Sequence, residues 1–221
     1  MRRWSFLKTM LPVFLARPEV TEVILCDETG EDAAEAQAAF GTNPKMKIHV
    51  NERRLGIYEN KKKVLGLAKG WTALLDSDNV FPDEWFDELE SLDFSDTKKM
   101  YGSADFKTLD GSKVARPCQE FSGITIDKTT WNTFLHRDKC FFLLNEGNFI
   151  VHADAAKFLP PTRSEDLQAA DAIFMLWNFV KNGYTLEYTG PEYIHLIHSG
   201  SSWLQTEKES TKVLMETRWY V

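Results

Sequence analysis

The chain has 221 residues, 43% hydrophobic and 13% aromatic, enough to bury a full core as one large domain. Its 33 acidic against 26 basic residues leave a net charge of -7 and no long basic block, which excludes a nucleic-acid backbone as the expected partner. No stretch reaches the roughly 20 uninterrupted apolar residues of a membrane span, and Cys26, Cys118 and Cys140 are odd in number and widely spaced, which predicts reduced thiols, a cytoplasmic compartment and no zinc site.

Trp4, Leu7, Leu11 and Phe14 stand at helical spacing over residues 4–16, with Pro12 expected to kink or break that helix. Val20 to Cys26 reads as a buried strand ending at Asp27. An acidic, alanine-rich helix over Asp32–Phe40 follows, then a strand over Met46–Val50 closed by Asn51. Gly56 precedes a helix near 58–69, with Tyr58, Val64, Leu65 and Ala68 inward and Gly70 as its stop. The apolar run Trp71–Leu75 makes a third strand. Strand and helix alternating at this spacing predict a parallel sheet of right-handed crossovers, with ligands gathered at the carboxyl ends of its strands. The second half is less regular. Strand-like pieces near Lys99–Ala104, Gln119–Ile126 and Cys140–Leu144 are separated by polar turns such as Asp110-Gly111-Ser112. A helix from about Glu165 to Asn182, ended by Gly183, precedes closing strands at Tyr184–Tyr188 and Tyr193–His198.

Asp76-Ser77-Asp78 follows the third strand directly. Two carboxylates one residue apart, where a buried strand empties into a loop, can bind a hard divalent cation and hold a diphosphate against it. The same acids can instead cap the next segment, where Pro82-Asp83-Glu84 has the form of a helix start. Asp76-Ser77-Asp78-Asn79-Val80 also fits the D-x-D-x-[TV] nucleophile loop of haloacid-dehalogenase-type phosphatases, with Asp76 phosphorylated, but no convincing downstream lysine and acidic pair accompanies it.

Residues 22–89 carry a broader resemblance. The stretch from Glu22 through Asp27, Glu28 and Asp32 is similar to a strand followed by "DDGSxD". Asn51, Gly56, Asn60-Lys61 and Ala68-Lys69-Gly70 are similar to an "N.G…RN.G…A.G" helix, Trp71 through Asn79 to a "yi.flDsDd" strand, and Phe81–Leu89 to the helix after it. In this order and spacing they resemble family 2 glycosyltransferases of the GT-A fold, with the compact single-domain members carried by large algal viruses the most similar in feel. The resemblance implies an α/β, Rossmann-related three-layer sandwich with a mostly parallel central sheet. It implies one domain over 1–221, with 1–98 binding a nucleotide sugar and 99–221 an acceptor.

The resemblance also implies roles. Asp27, or Glu28 beside it, would meet the base or ribose of a UDP- or GDP-type sugar. Asp78 would ligate Mn2+ or Mg2+, and Asp76 would contact ribose or metal-bound water. Lys61 would touch the diphosphate, although Lys61-Lys62-Lys63 also reads as a solvated helix face. Gly147 and Asn148 resemble the Gly-Asn turn that borders the acceptor pocket, a hairpin turn being the plainer reading, and Trp203 would stack on a sugar or cover the core. Asp171, about twelve residues before Gly183, would be the general base that deprotonates a glycan or other hydroxyl acceptor with inversion; Asp166 competes for that role. His198, with His195 as second choice, would be a further metal ligand. The chain departs from the family at its start: members begin with a strand and a "TYNR"-like loop, whereas Met1-Arg2-Arg3-Trp4 corresponds to the following arginine. That departure keeps a second expectation open, a catalytically silent sugar-nucleotide or glycan-binding module.

Overall fold

The computed structural model describes residues 3–103, 106–108, 123–135, 144–145, 147–190, 192–196, 202–216 and 219. The amino-terminal half follows the expected alternation: helix α1 (Trp4–Ala16), strand β1 (Val23–Asp27), α2 (Glu31–Phe40), β2 (Met46–Val50), α3 (Ile57–Leu67), β3 (Trp71–Leu74) and α4 (Asp83–Leu89). Pro12 sits inside α1 without ending it. Gly70, at φ 67°, turns the chain from α3 into β3 in the left-handed region open to glycine.

The remaining elements are β4 (Lys99–Ser103), β5 (Phe106–Thr108), β6 (Thr125–Ile126), α5 (Trp131–Leu135), β7 (Phe149–His152), a 3-10 turn (Ala153–Phe158), α6 (Ser164–Leu167), α7 (Asp171–Lys181), β8 (Thr185–Gly190), β9 (Tyr193–His195) and α8 (Ser202–Glu216). The single helix expected over Glu165–Asn182 is two, broken at Gln168, whose φ is 53°. Asn145 holds the break from outside: its amide donates to the Ala169 carbonyl at 2.7 Å and its oxygen accepts from the Ile173 N–H at 3.3 Å. Ser210 Oγ accepts from the Ala169 N–H at 3.1 Å. The turn Asp110-Gly111-Ser112 and most of the Cys140–Leu144 segment lie outside the described residues.

The expectation of a mostly parallel sheet needs correction. β1 and β2 pair in parallel as a two-stranded unit, and β3 joins a five-stranded sheet in the order β3-β7-β4-β8-β6. Only β4 and β8 are parallel there; the β3–β7, β7–β4 and β8–β6 pairs are antiparallel. Strand β7, supplied from the second half of the chain, reverses direction between β3 and β4, and no sequence pattern before β3 encodes that insertion.

Side chains alternate across this sheet as the pleat requires. Met100, Phe149, Val151, Leu186 and Tyr188 face a core shared with α3 and α7, while Tyr101 and Ile150 face Phe81, Trp85 and Phe86 at α4. A third cluster seats Leu7, Leu11 and Leu15 of α1 against Ala36 and Met46. The result is three layers, helix on sheet on helix. Cys26 is buried and its thiol is pushed up by that burial, in keeping with a reduced core cysteine. Among the described residues no helix is long and apolar enough to cross a membrane.

Candidate functional site

A cavity of about 650 Å3 lies between β1 and β3, with α1 on one side and α3 on the other, and Asp27, Glu28, Lys61 and Asp76 border it. These residues come from the carboxyl ends of β1 and β3 and the first turns of α3, where an α/β sheet gathers ligands.

Lys61 is the centre of the charge arrangement. Its ammonium lies 2.9 Å from Asp76 Oδ1 and 3.0 Å from Asp171 Oδ2. Burial works against a charged lysine, but the Asp171 and Asp76 carboxylates outweigh it and hold Lys61 protonated well above the ordinary lysine range. Lys61 therefore is not part of a solvated face of the Lys61-Lys62-Lys63 run. Asp171 is 5% exposed and opens α7, where the helix dipole also favours an anion. The break at Gln168 puts it there. Asp166, its rival, is exposed on α6 and takes no part in this cluster.

The loop carrying Asp76 is fixed from below. Asn148, buried at 3% exposure, accepts the Asp76 N–H at 2.8 Å. Gly147 packs so close that a Cβ built on it would stand 2.3 Å from Asp76 Oδ2 and 2.9 Å from Lys61 Nζ. The Gly-Asn turn expected to border an acceptor thus positions the Asp76–Lys61 pair. Asp78 is ion-paired with the Arg3 guanidinium. Beyond it, Val80 exchanges backbone hydrogen bonds of 2.8 and 2.9 Å with Ile194, and Asn79 Oδ1 accepts the Leu196 N–H at 3.3 Å, tying the loop to β9.

Asp27 and Glu28 do structural work at the same rim. Asp27 accepts from the Thr29 N–H at 3.0 Å and the Ala33 N–H at 2.9 Å, so it caps α2. Burial raises its carboxyl, but these amide donors and the Thr29 hydroxyl outweigh that and hold it below the usual carboxylate range. Glu28 accepts the Leu55 N–H at 2.8 Å and the Gly56 N–H, closing the loop into α3. Asp32 accepts the Arg3 and Trp4 N–H groups, each at 2.8 Å, capping α1 across the chain.

Trp203 lies in α8, away from the Lys61 cluster in sequence, and its side chain is outside the described residues, as is His198. Three positioning residues escape sequence reading: Arg3, Asp32 and Asn145. Asp32 carries a signal in hindsight, since an acid in the first turn of a helix is a cap candidate; its partner, however, is the start of another helix. Asn145 and Arg3 act over long sequence separations that no local pattern marks.

Among the described residues no cluster of three or more His, Cys, Asp or Glu forms a metal cage. A divalent cation bound with a diphosphate needs only one or two carboxylates, and Asp76 and Asp78 are hard oxygen donors on one loop. That donor set fits Mn2+ or Mg2+, on condition that Arg3 and Lys61 yield their carboxylate contacts.

No family model and no curated protein matches the chain. Solved structures do. The chain is similar to residues 1–349 of TarS from S. aureus in complex with UDP, at TM-score 0.62 and 15% identity over 96% of this chain and 61% of that one. Against the longer TarS crystal structure the TM-score is 0.61, covering 96% of this chain and 38% of that one. Against GalNAc-T7 with UDP, GalNAc and Mn2+ it is 0.53 at 14% identity, covering 90% and 42%. The chain spans less than two thirds of each of these proteins. Both neighbours are glycosyltransferases, and the likeness establishes the fold of this chain as a GT-A-like α/β domain.

Proposed function

We propose that the chain is a glycosyltransferase that moves a sugar from a UDP- or GDP-type donor to a hydroxyl acceptor, within the family 2 resemblance described above, as one domain with the donor held by 1–98 and the acceptor by 99–221. The observation that carries this reading is the convergence of Asp76, Asp171 and the Lys61 ammonium at the carboxyl rim of a GT-A-like sheet. Lys61 supplies positive charge where the diphosphate would lie. Asp171 Oδ takes the acceptor proton as the acceptor oxygen bonds to the anomeric carbon, and the bond from that carbon to the diphosphate breaks, with inversion. Asp76 and Asp78 are the residues that would hold Mn2+ or Mg2+, whose chemistry is to neutralise charge developing on the leaving nucleoside diphosphate.

The test is release of nucleoside diphosphate from a panel of UDP- and GDP-sugars with Mn2+ present. Removing a positioned general base costs roughly 10²–10⁴ in rate, so Asp171→Asn should fall by that much while Asp166→Asn turns over as the parent does. Equal loss in both variants, or none in Asp171→Asn, overturns the assignment of the base.

A second reading has its own support. Asp27 and Asp76 are engaged by the chain's own amides and lysine, and Asp78 by Arg3, as in a site that binds without turning over. Metal-dependent donor binding by calorimetry, without release of diphosphate for any acceptor class tried, would establish a silent sugar-nucleotide-binding module instead.

A further inference from the structure

The two acids that flank Lys61 come from separate elements, Asp76 from the loop after β3 and Asp171 from the first turn of α7, and one short turn reaches both. Asn148 accepts the Asp76 N–H at 2.8 Å. Three residues earlier in the chain, Asn145 donates to the Ala169 carbonyl at 2.7 Å and accepts the Ile173 N–H at 3.3 Å. Between them Gly147 packs against the Asp76 carboxylate with no room for a Cβ. The turn runs directly into β7, where Phe149 pairs with Leu74 of β3, so the ladder from which Asp76 emerges also fixes the turn that holds it.

Helix α7 depends on this support. The first N–H groups of a helix have no acceptor within it, and Ala170, at the cap position, has no side-chain oxygen to offer. Asn145 Oδ1 stands in for the cap at Ile173. The break upstream leaves a second donor to satisfy. At Gln168 the backbone turns to φ 53°, and the Gln168 side-chain amide donates to the Glu165 carbonyl at 2.6 Å, the group a continuous helix would present to the Ala169 N–H. The Ala169 N–H goes instead to Ser210 Oγ at 3.1 Å. Ser210 is fully buried on α8, and its hydroxyl lies 2.9 Å from that of Thr206, where α8 bends. The turn that carries Asp171 is therefore held by side chains from two distant segments.

We infer that Asn145 and Ser210 are positioning residues for Asp171: they fix the first turn of α7, and the turn over 145–148 thereby sets Asp171 and Asp76 at one spacing about the Lys61 ammonium. The inference rests on the reading of Asp171 as the base of a glycosyl transfer. A general base works within hydrogen-bond reach of the proton it takes, about 3 Å, and a displacement of about 1 Å costs on the order of 10²-fold in rate. Asn145 and Ser210 act through Asp171, so their removal appears in the rate of transfer and leaves the affinity for the donor alone.

The test compares the full chain with Asn145→Ala and Ser210→Ala, each alone and combined with Gln168→Gly or Asp171→Asn. Release of nucleoside diphosphate gives kcat and KM, and calorimetry gives donor affinity. Both alanine variants should lose at least about tenfold in kcat with donor affinity within about twofold of the parent. Glycine adopts positive φ freely, so Gln168→Gly should let the entry to α7 form without its outside support and return kcat to within about threefold of the parent. In the Asp171→Asn background Asn145→Ala should cost less than about twofold, because the group it positions is gone. A parallel fall in donor affinity and kcat, no recovery with Gln168→Gly, or the full loss repeated in the Asp171→Asn background overturns the inference. Hydrogen exchange followed by NMR needs no turnover. The Phe174 amide, which closes the first turn on the Ala170 carbonyl at 3.3 Å, should exchange at least about tenfold faster in both alanine variants, and the Val180 amide at the far end of α7 at the parent rate. Unchanged exchange at Phe174, or equal acceleration at Val180, overturns the hold on the first turn. No diphosphate release by the parent, or a parent rate in Asp171→Asn, overturns the transfer reading itself, while the exchange comparison still decides whether Asn145 and Ser210 hold the turn of Asp171.

Discussion

Replacing Lys61 by methionine keeps the apolar stem of the side chain and removes its ammonium, which leaves Asp171 facing Asp76 across the space the ammonium filled. The side chains of Lys61 and Asp171 are 13% and 7% exposed, so this is a buried ion pair, whereas Asp76 at 35% has water to fall back on. Breaking a buried pair by removing one partner costs about 3–5 kcal/mol, because the other charge is left uncompensated. The Asp76 contact, partly open to solvent, adds at most about 1 kcal/mol. Lys61→Met should therefore lower the unfolding free energy by about 3–5 kcal/mol in urea titrations at pH 7. The decisive comparison is the double variant with Asp171→Asn, which removes the stranded charge and should recover at least ~1 kcal/mol relative to additivity. A loss below about 1 kcal/mol for Lys61→Met, or strict additivity with Asp171→Asn, would refute the view that Lys61 sits in the structure as a buried counter-ion.

Gly147→Ala should place a methyl into the Asp76–Lys61 contact; overpacking of this kind costs about 1–3 kcal/mol, and diphosphate release should fall with it, as a thermal-denaturation series and the donor panel would both record. Asn148→Ala should leave the Asp76 N–H without its acceptor, costing about 1–3 kcal/mol in the same titration. Asp27 is held below its ordinary range when folded, so its contribution is present above about pH 4 and lost as the pH falls through its folded value. The stability gap between the parent and Asp27→Asn should accordingly close on acidification from pH 6 toward pH 2.5, and a gap that widens would exclude the capping role. Chelation with EDTA should abolish diphosphate release and Mn2+ restore it; turnover untouched by chelation would remove the metal from the proposal and leave Arg3 and Lys61 as its cations.

Much of the amino-terminal half was legible because each element there is local: alternating apolar runs, acids at strand ends and glycines at positive φ mark β1, α3 and β3 within a few residues. The same local signals put Asp27 and Asp76 at strand ends, and the family resemblance added Glu28 and Lys61. What they could not convey is which partner each acid takes. Asp27 reads as a ligand or a turn former, and the Ala33 amide that it accepts, six residues on, is a partner that no local pattern marks. The antiparallel insertion of β7 escaped because register between strands about 75 residues apart is set by packing, and the break before Asp171 escaped because Asn145 imposes it from a distant loop. A helical periodicity runs unbroken through Gln168; the backbone does not.

The rim that holds the acids is also where peptide dipoles converge. α1, α2 and α7 all start there, and each start meets a carboxylate: Asp32 for the first, Asp27 for the second, Asp171 for the third. Each helix start carries roughly half a positive charge, so much of the negative potential that a count of side chains assigns to this edge is offset by backbone. An anion arriving at an acidic protein would meet a surface far closer to neutral than its composition implies. Exchanging Asp27 or Asp32 for its amide would leave one acceptor oxygen where two now receive backbone N–H groups, remove the negative charge, and unmask the dipole beneath.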